Sequence, residues 1–130
     1  MYKRQVQHDY ESKVKVKYLG NKQYSYPRKN WSSFIMWNCA HPSNRGVDPK
    51  FIGDADAATL HRFIWLKDKE IGELSTKWNW LVGEYDNPTK DIKVLHWTLG
   101  GPYFEEYSKT EFSEEWSREF KSMTFCKQME

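Results

Sequence analysis

His96 closes the apolar run Lys93-Val94-Leu95-His96-Trp97, and Gly100-Gly101 follow shortly after it. A neutral imidazole is a common ligand for transition metals. A glycine pair lets backbone N–H groups come close to a phosphate. In α/β sheets such groups gather at the carboxyl ends of strands, where ligands bind. The plainer alternative is a core histidine bonded to backbone beside an ordinary glycine turn. A second pattern, Asp54-Ala55-Asp56, has the look of a metal-binding carboxylate pair. It falls, however, in a segment expected to be helical, where residues two apart point about 200° apart around the axis and do not chelate one ion. Both aspartates are expected on the solvated side. Cys39-Ala40-His41 could begin a zinc site, but no second pair follows at ligand spacing. Neither a Ser/His/Asp arrangement nor Gly-x-Ser-x-Gly is visible. Between Lys13 and Lys29, basic residues alternate with tyrosines. Such a stretch could stack on single-stranded nucleic acid, form a solvated loop, or meet an anionic glycan or nucleotide.

The elements that would position these groups follow from apolar spacing and turn formers. A short strand is expected near Val6–His8, then a long surface segment with a hairpin around Gly20-Asn21. Ser33–Asn38 is an apolar run between turn formers, the pattern of a strand buried on both faces. Asp48-Pro49 starts a helix, which the spacing of Phe51, Ile52, Ala55 and Ala58 carries to about Leu60. Lys67–Glu70 is a turn or short helix. Strands are expected over Trp78–Val82 and Lys93–Trp97, broken by Gly100-Gly101-Pro102. A last helix, about Ser113–Ser122, has Phe112, Trp116 and Phe120 on one side. Met1–Gln5 reads unlike the rest and is taken as a non-native leader outside the fold. Strands alternating with helices predict an α/β sheet. So few of each predict a piece of something larger.

With 130 residues there is room for one core. A net charge of +2 gives no global field to announce nucleic acid or membrane. The mean hydropathy of −0.91 is low, but 17% aromatic residues argue for a packed domain over a disordered one. Cys39 and Cys126 make no disulfide framework, which predicts a reduced, cytoplasmic setting. No apolar run approaches the roughly 20 residues of a transmembrane helix, and the amino terminus lacks the apolar stretch of a signal peptide.

Several runs carry a resemblance. Gln7-His8-Asp9-Tyr10, Lys17-Tyr18-Leu19-Gly20, Tyr26-Pro27-Arg28-Lys29-Asn30-Trp31-Ser32-Ser33 and Asn38-Cys39 are joined by Leu60-His61-Arg62-Phe63 and Glu70-Ile71-Gly72-Glu73-Leu74. Trp78-Asn79-Trp80-Leu81-Val82-Gly83-Glu84-Tyr85 and His96-Trp97-Thr98-Leu99-Gly100-Gly101-Pro102-Tyr103-Phe104 complete them. In order and spacing, over about residues 6–118, they resemble the later half of a bacterial and phage glycosyltransferase family similar to family eight. Those enzymes have the GT-A fold and move a sugar from a nucleotide diphosphate with Mn²⁺ or Mg²⁺.

The resemblance implies a partial GT-A mixed sheet with flanking helices. The nucleotide-binding half with its Asp-x-Asp would precede residues 6–122, and 123–130 would be a tail. His96 takes the position of the third metal ligand, with Gly100 and Gly101 near the diphosphate. Trp31-Ser32-Ser33 stands where the relatives line the donor-sugar pocket. His61-Arg62 falls where they hold sugar hydroxyls, and Trp78-Asn79 lies on the acceptor side. One departure matters: Pro102-Tyr103 replace the lysine that meets the phosphate in family-eight enzymes. That charge would fall to the metal, to backbone N–H groups, or to another cation such as Arg62. The implied function is transfer of a sugar from a nucleotide-diphosphate donor to a glycan or other hydroxyl acceptor. The chain alone would be inactive without the missing half, and no catalytic nucleophile is assigned. A non-catalytic carbohydrate-binding module using Trp31, Trp78 and Trp97 is the first alternative; a single-stranded nucleic-acid module on Lys13–Lys29 is the second.

Overall fold

The computed structural model describes residues 3–126. In chain order the strands are β1 (Lys3–Val6), β2 (Val16–Lys17), β3 (Asn21–Lys22), β4 (Ile35–Trp37), β5 (Ile71–Leu74), β6 (Trp80–Leu81) and β7 (Leu95–His96). The α-helices are α1 (Pro49–Asp54), α2 (Ala57–Arg62) and α3 (Ser113–Cys126), with short 3₁₀ segments between elements. The architecture is mixed α/β, with small sheets and few helices. The chain divides into two compact units, one holding the residues up to Glu11 with Ser25–Asn79, the other Ser12–Tyr24 with the residues from Trp80 onward.

The first unit is built on a three-stranded sheet in the order β4-β1-β5, with β1 in the middle. β1 runs antiparallel to β4, Lys3 facing Trp37 and Gln5 facing Ile35. It runs parallel to β5, Lys3 beside Ile71 and Val6 beside Leu74. This corrects two expectations. Residues 3–5, set aside as a leader, form most of the central strand, and that strand ends at Val6 instead of beginning there; Met1 and Tyr2 lie outside the described residues. The polar letters Lys-Arg-Gln concealed it, because a central strand is normally read from an apolar run. Lys3 and Gln5 are fully buried, yet Lys3 Nζ and both amide atoms of Gln5 have no hydrogen-bond partner among the described residues. Lys3 Nζ instead sits over the rings of Phe63 and Trp37.

β4 is also a correction. It was expected to be buried on both faces, but it is a sheet edge with Met36 and Trp37 exposed. β5, which sequence spacing did not single out, covers the other side of β1. Phe63, Leu66 and Ile71 form the buried core, with Trp31, Ile35 and Trp65 packed against it. Edge-to-face contacts of Trp65 with Phe63 and Phe51, at 5.6 and 5.4 Å, extend it through aromatic rings.

The single helix expected from Asp48 to Leu60 is two. Asp48 caps the first, its carboxylate accepting from Phe51 N–H at 2.7 Å, with Pro49 in the first position. Ala55 then turns extended, and Asp56 caps the second by accepting from Thr59 N–H at 2.6 Å. Aspartate competes well for a cap and poorly for a helix interior, which is why the chain breaks there. Phe63 ends α2 in the left-handed conformation, φ 54°.

In the second unit the expected hairpin is present: β2 and β3 pair antiparallel across Tyr18–Gly20, with Gly20 at φ +71°. β6 and β7 pair parallel, Trp80 beside Leu95 and Leu81 beside His96. Trp80, Leu81 and Val82 are buried. The buried carboxylate of Glu84 accepts from Ser12 Oγ at 2.5 Å and from Lys13 N–H at 2.9 Å, tying Ser12-Lys13 to this unit. Trp116 and Phe120 stack on α3 with centroids 5.0 Å apart, on one side as their spacing predicts. α3 runs on to Cys126, into the segment expected to be a tail, and 127–130 lie outside the described residues. No helix among the described residues is long and apolar enough to cross a membrane.

Candidate functional site

The first unit brings together the residues that the resemblance placed around the sugar. Trp31-Ser32-Ser33 form one 3₁₀ turn, entered through Asn30 in the left-handed conformation, φ 59°. The turn offers successive side chains in different directions. Trp31 packs against the core and donates its indole N–H to the His8 carbonyl at 3.0 Å. Ser32 Oγ lies 2.9 Å from His61 Nδ1 on α2. Ser33 Oγ donates to Asn30 O at 2.6 Å and accepts from Asn79 Nδ2, also at 2.6 Å.

Asn79 is buried at 2% exposure, and its Nδ2 is 2.8 Å from His8 Nε2. An amide held between an imidazole and a serine hydroxyl, away from water, has its orientation fixed. The segment Thr76–Trp78 that carries it is a 3₁₀ turn, where a strand from Trp78 was expected. Trp78 itself is 43% exposed and lies stacked on Phe34 at 6.1 Å. One face of its indole is therefore supported and the side chain remains accessible. Arg62, at the end of α2, lays its guanidinium over the Tyr26 ring at 5.4 Å, beside His61 in a small hollow of about 200 Å³. Two hydrogen bonds, Ser32–His61 and Ser33–Asn79, thus link the three segments that carry the seven candidate sugar residues of this unit.

Two residues in this arrangement were missed. His8 lies in a run that carried the resemblance, but nothing in its spacing marked it as the partner of both Trp31 and Asn79. Arg28 also escaped notice. Its guanidinium donates to the carbonyls of Arg62, Phe63 and Leu66 at 2.5, 2.9 and 3.1 Å and to Asp68 at 2.5 Å. It thereby satisfies orphan acceptors at the end of α2 and fixes the position of His61-Arg62.

The second unit holds His96, Gly100 and Gly101. His96 ends β7, as expected, half-buried. Burial, and then the charge of Lys17, hold its pKa below the ordinary 6.5. Both effects favour the neutral ring, the form that can bind a metal. No group of three or more His, Cys, Asp or Glu side chains is positioned to hold a metal among the described residues. Gly100, at φ +153°, is buried, and a Cβ there would meet the Tyr107 ring at 2.5 Å. A Cβ on Gly101 would run into the Tyr103 ring. Close ring packing is thus reason enough for both glycines to lack side chains.

The remaining sequence candidates have other work. Asp54 pairs with Lys50 at 2.6 Å, one turn back on α1, and Asp56 caps α2. Cys39 is an exposed free thiol, and His41 Nδ1 accepts from Ser43 N–H at 3.3 Å. The basic stretch Lys13–Lys29 is shared between the two units, Lys13 pairs with Asp86 at 2.7 Å, and Lys29 is buried.

No known family profile matches the chain, and no solved structure matches it. Among curated proteins it is similar to Protein CDI of Arabidopsis thaliana, 42% identical over 120 residues. The match takes in 89% of this chain and 46% of that protein, so the chain spans about half the length of its curated relative.

Proposed function

We propose that this chain is the carboxy-terminal half of a GT-A nucleotide-sugar glycosyltransferase, moving a sugar from a nucleoside-diphosphate donor to a hydroxyl acceptor. The observation that carries the reading is the convergence in one unit of Trp31–Ser33, His61-Arg62 and Trp78-Asn79, which are distant in sequence and which the family resemblance implies as sugar contacts. Two hydrogen bonds, Ser32–His61 and Ser33–Asn79, lock three of these segments together. Preorganised polar groups beside supported aromatic faces suit a pyranose, whose hydroxyls need directed partners and whose C–H faces need a ring.

In this reading Ser32 and His61 orient sugar hydroxyls, buried Asn79 holds the Ser33 hydroxyl in place, Trp78 offers a stacking face, and Arg62 supplies positive charge. A divalent cation in the complete enzyme would neutralise charge on the departing diphosphate. His96 alone does not constitute a site for it, so its carboxylate ligands would come from the half that carries the Asp-x-Asp. The isolated chain is accordingly expected to release no nucleoside diphosphate above background from a donor panel with Mn²⁺. Clear turnover by the isolated chain would overturn the half-enzyme reading.

A further inference from the structure

Within the first unit, residues 7–11 and 25–31 enclose an open cleft of about 740 Å³. We infer that this cleft is a binding site for a neutral saccharide, an inference that rests on the reading above. Its lining combines three aromatic side chains, Tyr10, Tyr26 and Trp31, with two carboxylates, Asp9 and Glu11. Neither carboxylate has a hydrogen-bond or ion-pair partner among the described residues, and both are exposed at the cleft. Tyr10 is held in place, its hydroxyl accepting from Asn30 Nδ2 at 2.6 Å, and Trp31 is anchored through its indole N–H. The rings are thus fixed and the carboxylates open.

The cations of the cleft are committed elsewhere. Arg28 spends its donors on three carbonyls and Asp68, and Lys29 is 7% exposed with Nζ 5.7 Å from the Tyr10 ring centroid. A phosphate would meet two exposed carboxylates here, which disfavours a nucleotide. A saccharide reverses the balance: its hydroxyls donate to Asp9 and Glu11, and its apolar face lies on an aromatic ring. The volume falls in the range of small-ligand sites and accommodates a mono- or disaccharide.

The test is saturation-transfer NMR on the full chain with methyl glucoside, methyl galactoside, maltose and cellobiose, each without nucleotide. Transfer to ring protons of at least one sugar is expected, together with a shift of the Trp31 indole N–H. The Asp9→Asn, Glu11→Gln double variant should bind about ten-fold more weakly, as loss of hydrogen bonds to charged acceptors implies. Both positions are exposed, so this variant keeps the fold; Tyr10→Ala provides a second, independent loss. Absence of transfer from all four sugars, or transfer unaltered in both variants, would overturn the site. A parallel titration with UDP-sugars separates the two readings. Donor binding without saccharide binding sinks the cleft alone, and donor turnover by the chain without a partner half would sink the half-enzyme reading and leave the cleft standing.

Discussion

Ser33 and Asn79, 46 residues apart, meet in a hydrogen bond of 2.6 Å that joins the turn after Asn30 to the turn before β6. The same amide reaches His8, so one buried side chain ties three segments of the first unit together. Asn79→Ala would leave the imidazole of His8 and the Ser33 hydroxyl each short of a partner in a dry environment. The expected cost is about 1–3 kcal/mol of folding stability, read as a lower urea midpoint at constant slope. An unchanged midpoint would show that water replaces the amide.

Arg28 makes a second joint. Its planar fork reaches three carbonyls and a carboxylate at once, which an ammonium group does not reproduce. Arg28→Lys should therefore destabilise by about 1–3 kcal/mol and loosen His61-Arg62, with the change visible in amide exchange of α2. A variant as stable and as protected as the parent would remove Arg28 from this role.

These joints show how much of the molecule could be read from its letters. Gly20 and its flanks announced the hairpin, Pro49 and Asp48 announced a helix start, and β7 stood out as an apolar run ending in His96. What escaped was decided by tertiary competition. Ala55 and Ala58 continue a helical pattern, but Asp56 prefers to cap, and the helix breaks. Lys3-Arg4-Gln5 look like solvent-facing residues, yet the gap between β4 and β5 draws them in, and backbone pairing on both sides holds them there. The grouping of Ser32 with His61 was foreseen only through the family resemblance; no periodicity pairs positions so far apart.

Lys3 leads to a pH prediction. Burial, and then the charge of Arg28, lower its pKa from 10.5 to about 6. The folded chain thus binds fewer protons than the unfolded chain between those values, so stability rises with pH across that window and is lowest below it. His96 acts in the same direction lower down, since its depressed pKa means the folded state resists protonation as pH falls below 6.5. Urea midpoints at about pH 5, 7 and 9 should increase in that order.

Replacing Lys3 and Gln5 separates the two contributions. Lys3→Met with Gln5→Val removes polar groups that are buried without hydrogen-bond partners among the described residues, and should stabilise the fold by about 1–4 kcal/mol. It should also flatten the rise between neutral and alkaline pH. A destabilised double variant would mean that Lys3 earns its place through the rings of Phe63 and Trp37.

The central claim, that this chain is half of a glycosyltransferase with His96 as a metal ligand, is tested most directly by completing the enzyme. The chain is joined to the Asp-x-Asp half of a family-eight-like transferase, and Mn²⁺-dependent release of nucleoside diphosphate is measured for the parent, His96→Ala, and Asp54→Ala with Asp56→Ala. The account predicts turnover in the parent, a loss of about 10- to 100-fold for His96→Ala, and little change for the double aspartate variant, whose carboxylates serve Lys50 and the cap of α2. Activity abolished by the aspartate changes and untouched by His96→Ala would contradict it.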